Sequence, residues 1–400
     1  MIADTLAAVI IAVATAYAAL AGADFGGGIW DLLAGSAVRG EVPRRRIDQS
    51  ITPVWESNHV WLIIAVVLLW TGFPTAFAAV FTTLFVPLSV AALGIVLRGT
   101  GFAFRPHART LRWQATTGGV FATASLLTPF FMGTVVGSVV SGRVRGTNGD
   151  PVTSWANLTS LLTGGLFVAA GAYLAAVYLA VDSDRDRQPE LRRYFTRRAL
   201  VSGLVTGAMA GATMVQLRTS APAVFIELTT GRGLALVVIS VLAGLAVLVA
   251  LTLDIVRPVR PLAVLAVAAV VWGWAISQYP YLLPPGLTIA AGAVPRAVQI
   301  TELVVVGIIV ILVAPSFVLL FRLAQSGRLA EAEGPRPGSG PPGGGPPGSD
   351  AAATRASRGQ APPRGRHRGQ PRSSGRLWPI AVAAVVIAVW RLRRRGTGAR

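Results

Sequence analysis

The chain of 400 residues contains no cysteine and no lysine, and it has three histidines, His59, His107 and His367. Missing thiols exclude disulfides, thiolate metal sites and cysteine nucleophiles. Histidine scarcity limits cofactors as well. Haem wants a His, Met, Cys or Tyr axial ligand, and His59 is the one imidazole expected at membrane depth, beside the internal methionines Met132, Met209 and Met214. The chain could therefore hold one haem at most, and any set of several would sit in another polypeptide. Charge is sparse, at 13% of residues, against about 25% in an ordinary soluble domain. Gly26-Gly27-Gly28 is followed by no Gly-Lys-Ser/Thr, which excludes a phosphate loop. Zinc spacing, a nucleophile elbow and a dinucleotide fingerprint are missing too.

What is present is apolar: 53% of residues are hydrophobic, and 44 are glycine. Nine apolar segments can be drawn, at 5–23, 58–73, 75–97, 117–140, 158–181, 199–217, 234–253, 262–280 and 300–321. A bilayer crossing needs about 20 apolar residues per helix, so an all-α integral membrane protein of about nine spans is expected. Gly72-Phe73-Pro74 divides the second segment from the third, and Pro disfavours a helix interior; a tight hairpin is the simpler reading and one long kinked helix the alternative. Ala19-Leu20-Ala21 resembles a cleavage site, but Met1-Ile2-Ala3-Asp4 has no basic residue, so the first segment is expected to stay as a span.

Arginine is distributed unevenly between the two sides of such a bundle. Numbering loops alternately, the N-terminal side carries five (Arg143, Arg145, Arg218, Arg232, Arg296) and the opposite side sixteen before the tail is counted. The positive-inside rule then puts the N-terminus outside and the tail in the cytoplasm. Residues 1–322 form the expected membrane domain. Residues 323–376 read as a disordered Pro/Gly/Arg-rich linker, with Pro341-Pro342-Gly343-Gly344-Gly345 unable to pack a core. Residues 377–400 hold a short apolar run, Leu377 to Trp390, ending in Arg391, Arg393, Arg394 and Arg395. At 14 residues and about 1.5 Å each, that run falls short of a bilayer and suits an interfacial helix. An Arg-rich tail can bind nucleic acid or anionic lipid; its composition reads as a solvated cytoplasmic tail, with no nucleic-acid partner expected.

Four acids stand out from the loops: Asp24 at the end of the first segment, Glu56 just before the second, Glu302 near the start of the ninth, and Glu227 in an outer loop. Ionisable groups at membrane depth cost several kcal/mol unless paired or wetted, so they are functional candidates. The densest stretch is Trp55-Glu56-Ser57-Asn58-His59-Val60-Trp61. On a helix Trp55, Asn58 and His59 share a face. Glu56 and His59 are three apart, and a carboxylate beside an imidazole can relay protons. The bland alternative is an aromatic belt with polar neighbours at the interface.

These stretches resemble the second subunit of cytochrome bd-type quinol oxidases. Asp24-Phe25-Gly26-Gly27-Gly28 is similar to that family's early acidic, Gly-rich motif, and Pro53 to Ile63 to its most characteristic run: Trp, an acid, a small residue, Asn, a polar residue, Val, Trp. Phe73 to Ala78, Arg98-Gly99 with Phe102, and Leu287 to Ala293 continue the likeness in order. The resemblance implies two four-helix bundles plus a peripheral helix in the bacterial plasma membrane, paired with a subunit I that carries the b-type and d-type haems and the quinol site. It implies oxidation of quinol, reduction of dioxygen to water, and a cytoplasmic proton path in which Glu56 takes the implicated acidic position, with Asp24, His59 and Asn58 beside it. Trp55, Trp61, Gly26 and Gly27 are then motif residues that shape the site. No metal or cofactor is expected in this chain, with room left for a structural quinone or lipid and for a small accessory subunit. Glu at 56 departs from the family's common Asp, and His59 stands where Glu is common. Two other classes compete: a stand-alone secondary transporter, and a structural scaffold without a proton role.

Overall fold

The computed structural model describes residues 1–35, 39–51, 55–104, 111–145 and 149–325. His107, His367 and the tail from 326 onward, with the expected linker and short apolar run, lie outside them. The described residues are almost wholly helical: α1 (Ile2–Leu32), α2 (Glu41–Ile51), α3 (Trp55–Gly72), α4 (Pro74–Thr83), α5 (Phe85–Phe104), α6 (Leu111–Val140), α7 (Leu158–Arg185), α8 (Pro189–Ser220), α9 (Pro222–Thr229), α10 (Leu234–Thr252) and α11 (Val259–Gln278), then a two-stranded antiparallel ribbon, β1 (Tyr281–Leu283) with β2 (Leu287–Thr288), and α12 (Ile289–Gly292) and α13 (Arg296–Gln325). Among the described residues six helices are long and apolar enough to cross a membrane: α1, α6 from Thr117, α7, α8, α10 and α11. Counting the bent pair α3–α4 makes seven, and Phe85–Gly101 is a shorter apolar helix. Lipid offers the backbone no hydrogen bonds, so helices that satisfy their own are the form such runs take.

The sequence expectations need three corrections of position. The first helix does not stop before Asp24. It continues to Leu32, so Gly26-Gly27-Gly28 lies inside a helix and is buried. Glu56 does not precede the second span; it is the second residue of α3. The segment 75–97 is not one helix either. Pro74 opens α4 at its first turn, where its missing N–H costs nothing, and Phe73 leaves the helical region at φ −137°, ψ 61°. Chain direction turns by 117° there. Leu84 ends α4, and α5 begins anew at Phe85. The corner between α3 and α5 is thus a ten-residue helix, not a tight hairpin.

Of the six long helices α7 is the most buried. It packs against α1, α6 and α8. Gly26 explains how α1 comes so close. A Cβ there would fall 2.0 Å from the carbonyl oxygen of Gly171 on α7, closer than any side chain allows. Lipid provides no hydrophobic push between helices, so this close backbone contact is what binds them. Asn157 caps α7 by accepting from the Ser160 N–H at 3.1 Å. At its other end three aspartates tie neighbours together. Asp182 accepts from Arg260 of α11 at 2.5 Å, Asp184 from Arg192 of α8 at 3.2 Å, and Asp186 from Arg46 of α2.

Candidate functional site

The polar centre of the described residues lies between α1, α3, α5 and α6. Asp24 sits 22 residues into α1, about 33 Å along it at 1.5 Å per residue. Arg98 of α5 meets it head-on. Its Nη1 donates to Oδ2 at 2.9 Å and its Nη2 to Oδ1 at 2.6 Å, a bidentate fork. Nη2 also donates to the Asp24 carbonyl at 3.0 Å, and Nε to the Ser125 hydroxyl of α6 at 3.0 Å. Ser125 in turn donates to the Phe121 carbonyl at 2.7 Å. The guanidinium carbon stands 4.9 Å from the ring centres of both Phe25 and Phe121, cation–π range. Both charged side chains are 2% exposed. Paired and hydrogen-bonded charge is the form in which an ion pair survives burial.

Arg98, which the sequence gives only as part of the family likeness, is a fully buried member of α5 and belongs to this centre. A signal was there: an arginine inside an apolar run needs a partner at depth.

Beside this pair stands the start of α3. Asn58 is buried, and its Nδ2 donates to the Leu20 carbonyl of α1 at 3.5 Å, while its Oδ1 has no partner among the described residues. His59 lies between Tyr17 and Phe25, with ring centres 6.3 and 6.2 Å away, within electrostatic reach of Asp24 and Arg98. Its Nδ1 is buried and unpartnered among the described residues. Tyr17 donates to the Met132 sulfur at 3.8 Å. Trp61 packs with Tyr17, Ala21 and Phe25. Gly26 serves the α1–α7 contact, and Gly27 is buried on the same helix. Trp55 and Glu56 stand in the first turn of α3, with their side chains outside the described part. The structure therefore brings together Asp24, Asn58, His59 and Trp61, and adds Arg98, Ser125 and Tyr17.

The two other acids go elsewhere. Glu227 is on α9, not in a loop, and accepts from the Arg232 backbone N–H at 3.1 Å and its Nε at 3.2 Å. Those bonds, the backbone one first, hold its carboxyl below the usual carboxylate range. It closes the turn into α10. Glu302 lies on α13, its carboxyl beside Gly72 at the end of α3. Among the described residues no three His, Asp or Glu side chains converge as a metal site would require.

This arrangement holds a buried charge pair in place beside an imidazole and an amide. Residues 2–324 match the family described as Cytochrome bd terminal oxidase subunit II. Over 123 residues the chain is 29% identical to the cytochrome bd ubiquinol oxidase subunit 2 of Bacillus subtilis, covering 31% of this chain and 36% of that one. Over 104 residues it is 29% identical to the cytochrome bd-I ubiquinol oxidase subunit 2 of Escherichia coli K12, covering 26% and 27%. A putative cytochrome bd menaquinol oxidase subunit II of Bacillus subtilis is 25% identical over 217 residues, covering 51% and 59%. The matched stretches thus span less than two thirds of these relatives. In fold, the chain is similar to the bd oxidase structure from Geobacillus thermodenitrificans, with a TM-score of 0.66, 24% identity, and coverage of 80% of this chain and 98% of that one.

Proposed function

The chain belongs to the cytochrome bd terminal oxidase subunit II family, and from that premise we propose that it is the haem-free second subunit of a bd-type quinol oxidase in a bacterial plasma membrane. It supports a haem-bearing subunit I in oxidising quinol and reducing dioxygen to water, and it contributes a proton path from the cytoplasm. The single observation that carries this reading is the match over residues 2–324. In fold terms the reading is nine spans, as two four-helix bundles and a peripheral helix. Support comes from α3, α5 and α13, helical over 18, 20 and 30 residues in addition to the six long apolar helices.

The path begins at Glu56, in the first turn of α3, where a helix N-terminus favours an acidic side chain. Asn58 orients the next step through its Oδ1, and His59 offers a ring nitrogen, both without a partner among the described residues. Imidazole both accepts and donates a proton near neutral pH. Asp24 and Arg98 hold the α1 wall of this route in a fixed charge arrangement.

The haems are placed in subunit I, in keeping with the family, and the packing of His59 between Tyr17 and Phe25 supports that reading. Expressed without its partner, the polypeptide should show no haem d absorption, while the purified complex should show it. A full bd-type spectrum from this chain alone overturns the division of labour.

The orientation has its own test. Asp150 and Gln188 flank α7 at its two ends. Reporter fusions there should report opposite compartments, with Gln188 cytoplasmic and the N-terminus outside. A reversed result overturns the topology and with it the direction of the proton path.

A further inference from the structure

Where α7 runs into α8, arginines of three elements are neutralised within the chain. Arg46 of α2 pairs with Asp186, Arg192 of α8 with Asp184 and Asp254, and Arg260 of α11 with Asp182. Arg193 and Arg197, one turn apart on α8, break this pattern. Both are exposed, and neither has an ion-pair or hydrogen-bond partner among the described residues. Glu190, in the first turn of α8, forms no ion pair among the described residues either. Arg198 adds a third charge. Its guanidinium carbon lies 3.3 Å from the ring centre of Tyr194 and 5.7 Å from that of Trp30 on α1. It donates to the Tyr194 carbonyl at 3.3 Å, while its Nε and the Tyr194 hydroxyl are buried with no partner among the described residues. Aromatic rings, not a carboxylate, hold this cation.

Beyond the two exposed arginines the same face of α8 turns apolar. Arg193, Arg197, Val201, Leu204, Val205 and Ala208 follow one another at three- and four-residue spacing, and all six are exposed. From Arg197 to Ala208 is 11 residues, or about 16 Å, half of the roughly 30 Å of a hydrocarbon core. Beside this stripe Gly207 and Gly211 leave open space where a side chain would stand. An occupant of the face needs a negative head at Arg193 and Arg197 and an aliphatic body along Val201 to Ala208. A soluble anion lacks the body. A zwitterionic lipid brings its own ammonium to compete with the guanidinium groups. Guanidinium forks match phosphate oxygens in shape and stay charged at any working pH. We propose that this face of α8 binds an anionic phospholipid, its phosphate held by Arg193 and Arg197 in the positive field of Arg198 and an acyl tail lying along the stripe. The proposal requires that α8 crosses the membrane and does not depend on the proton route.

The test uses the intact complex in phosphatidylcholine vesicles that contain a small fraction of a photoreactive lipid with a diazirine on its acyl tail. One sample carries phosphatidylglycerol with that tail, the other phosphatidylcholine with the same tail. After illumination the protein is cut by a protease that spares arginine, and adducts are mapped by mass spectrometry. Phosphatidylglycerol should label residues 201–211 about tenfold more than phosphatidylcholine, on the scale of two basic residues at an anionic surface, and the excess should shrink as salt rises. Arg193→Gln with Arg197→Gln should remove the excess and leave haem content and complex yield unchanged. Arg193→Lys with Arg197→Lys keeps the charge without the fork and should keep part of it. Equal labelling by the two lipids in the unaltered complex overturns the headgroup site, whether or not the variants assemble. An excess that survives the double Gln replacement overturns its assignment to these arginines. No label on 201–211 from either lipid, in samples where other helices of the complex are labelled, shows the face covered by protein and overturns the proposal. Loss of the proton-route reading would leave each of these results unchanged.

Discussion

Replacing Arg98 with Met should leave little intact complex in the membrane. Removing one partner of a buried pair costs about 3–5 kcal/mol, because the other charge stays behind uncompensated. Here the stranded group is Asp24, with its side chain 2% exposed, and it loses the fork at 2.9 and 2.6 Å. Ser125 also loses its donor from Nε. Asp24→Leu should be milder than Arg98→Met is to assembly only if the guanidinium finds water, and the phenyl rings of Phe25 and Phe121 around it leave no such access. Both single replacements are therefore expected to fail at a similar level. The double replacement Asp24→Leu with Arg98→Met removes both charges, and buried pairs exchanged for apolar residues of similar volume are often neutral. It should recover much of the lost complex. The readout is haem-loaded complex per unit of membrane, with thermal melting of whatever assembles. A wild-type yield and melting temperature for Arg98→Met would refute the structural role of the pair.

The second large effect concerns Glu56. Substituting Gln keeps its size and hydrogen bonding and removes the titratable proton. Quinol oxidase turnover should slow by about tenfold or more, on the scale of losing a general acid–base group, while haem content stays normal. Glu56→Asp should retain much of the activity, since it keeps an acid in the first turn of α3. A scaffold without a proton role forecasts something else: Gln is tolerated, and damage shows as poor assembly when Trp55 or Trp61 is changed. Turnover and haem content measured on the same preparations separate the two. Full turnover in an intact Glu56→Gln complex removes the proton role.

Every apolar run drawn from the sequence falls on helix, because a chain in lipid has few other ways to satisfy its backbone. Where helices end was harder to see. Gly26-Gly27-Gly28 looks like a loop by propensity, since glycine weakens an isolated helix. It stays helical because Gly171 of α7 needs the missing side chains for its close approach. The α3–α5 corner was legible as a break through Pro74, and the second break at Leu84 had its own signal in Pro87, three residues on in the first turn of α5, which the drawn run 75–97 passed over. For the site, Asp24, Asn58 and His59 were readable as polar residues in apolar surroundings. Arg98 was not readable as the partner of Asp24, since 74 residues separate them and no local pattern encodes that pairing. Glu302 could be named as an acid in a span, but its place beside Gly72 and Leu6 comes from the packing between helices.

That separation of 74 residues also has a meaning in time. The chain is made from its N-terminus, so α1 enters the membrane first, with Asp24 already in it. Arg98 leaves the ribosome several seconds later, at about 5–20 residues per second. Throughout that interval the first helix carries an acid with no counter-charge of its own, and something outside this chain has to shelter it. The insertion machinery, or water at the membrane surface, holds the place that α5 will take. Slowing translation between α1 and α5 would lengthen that interval.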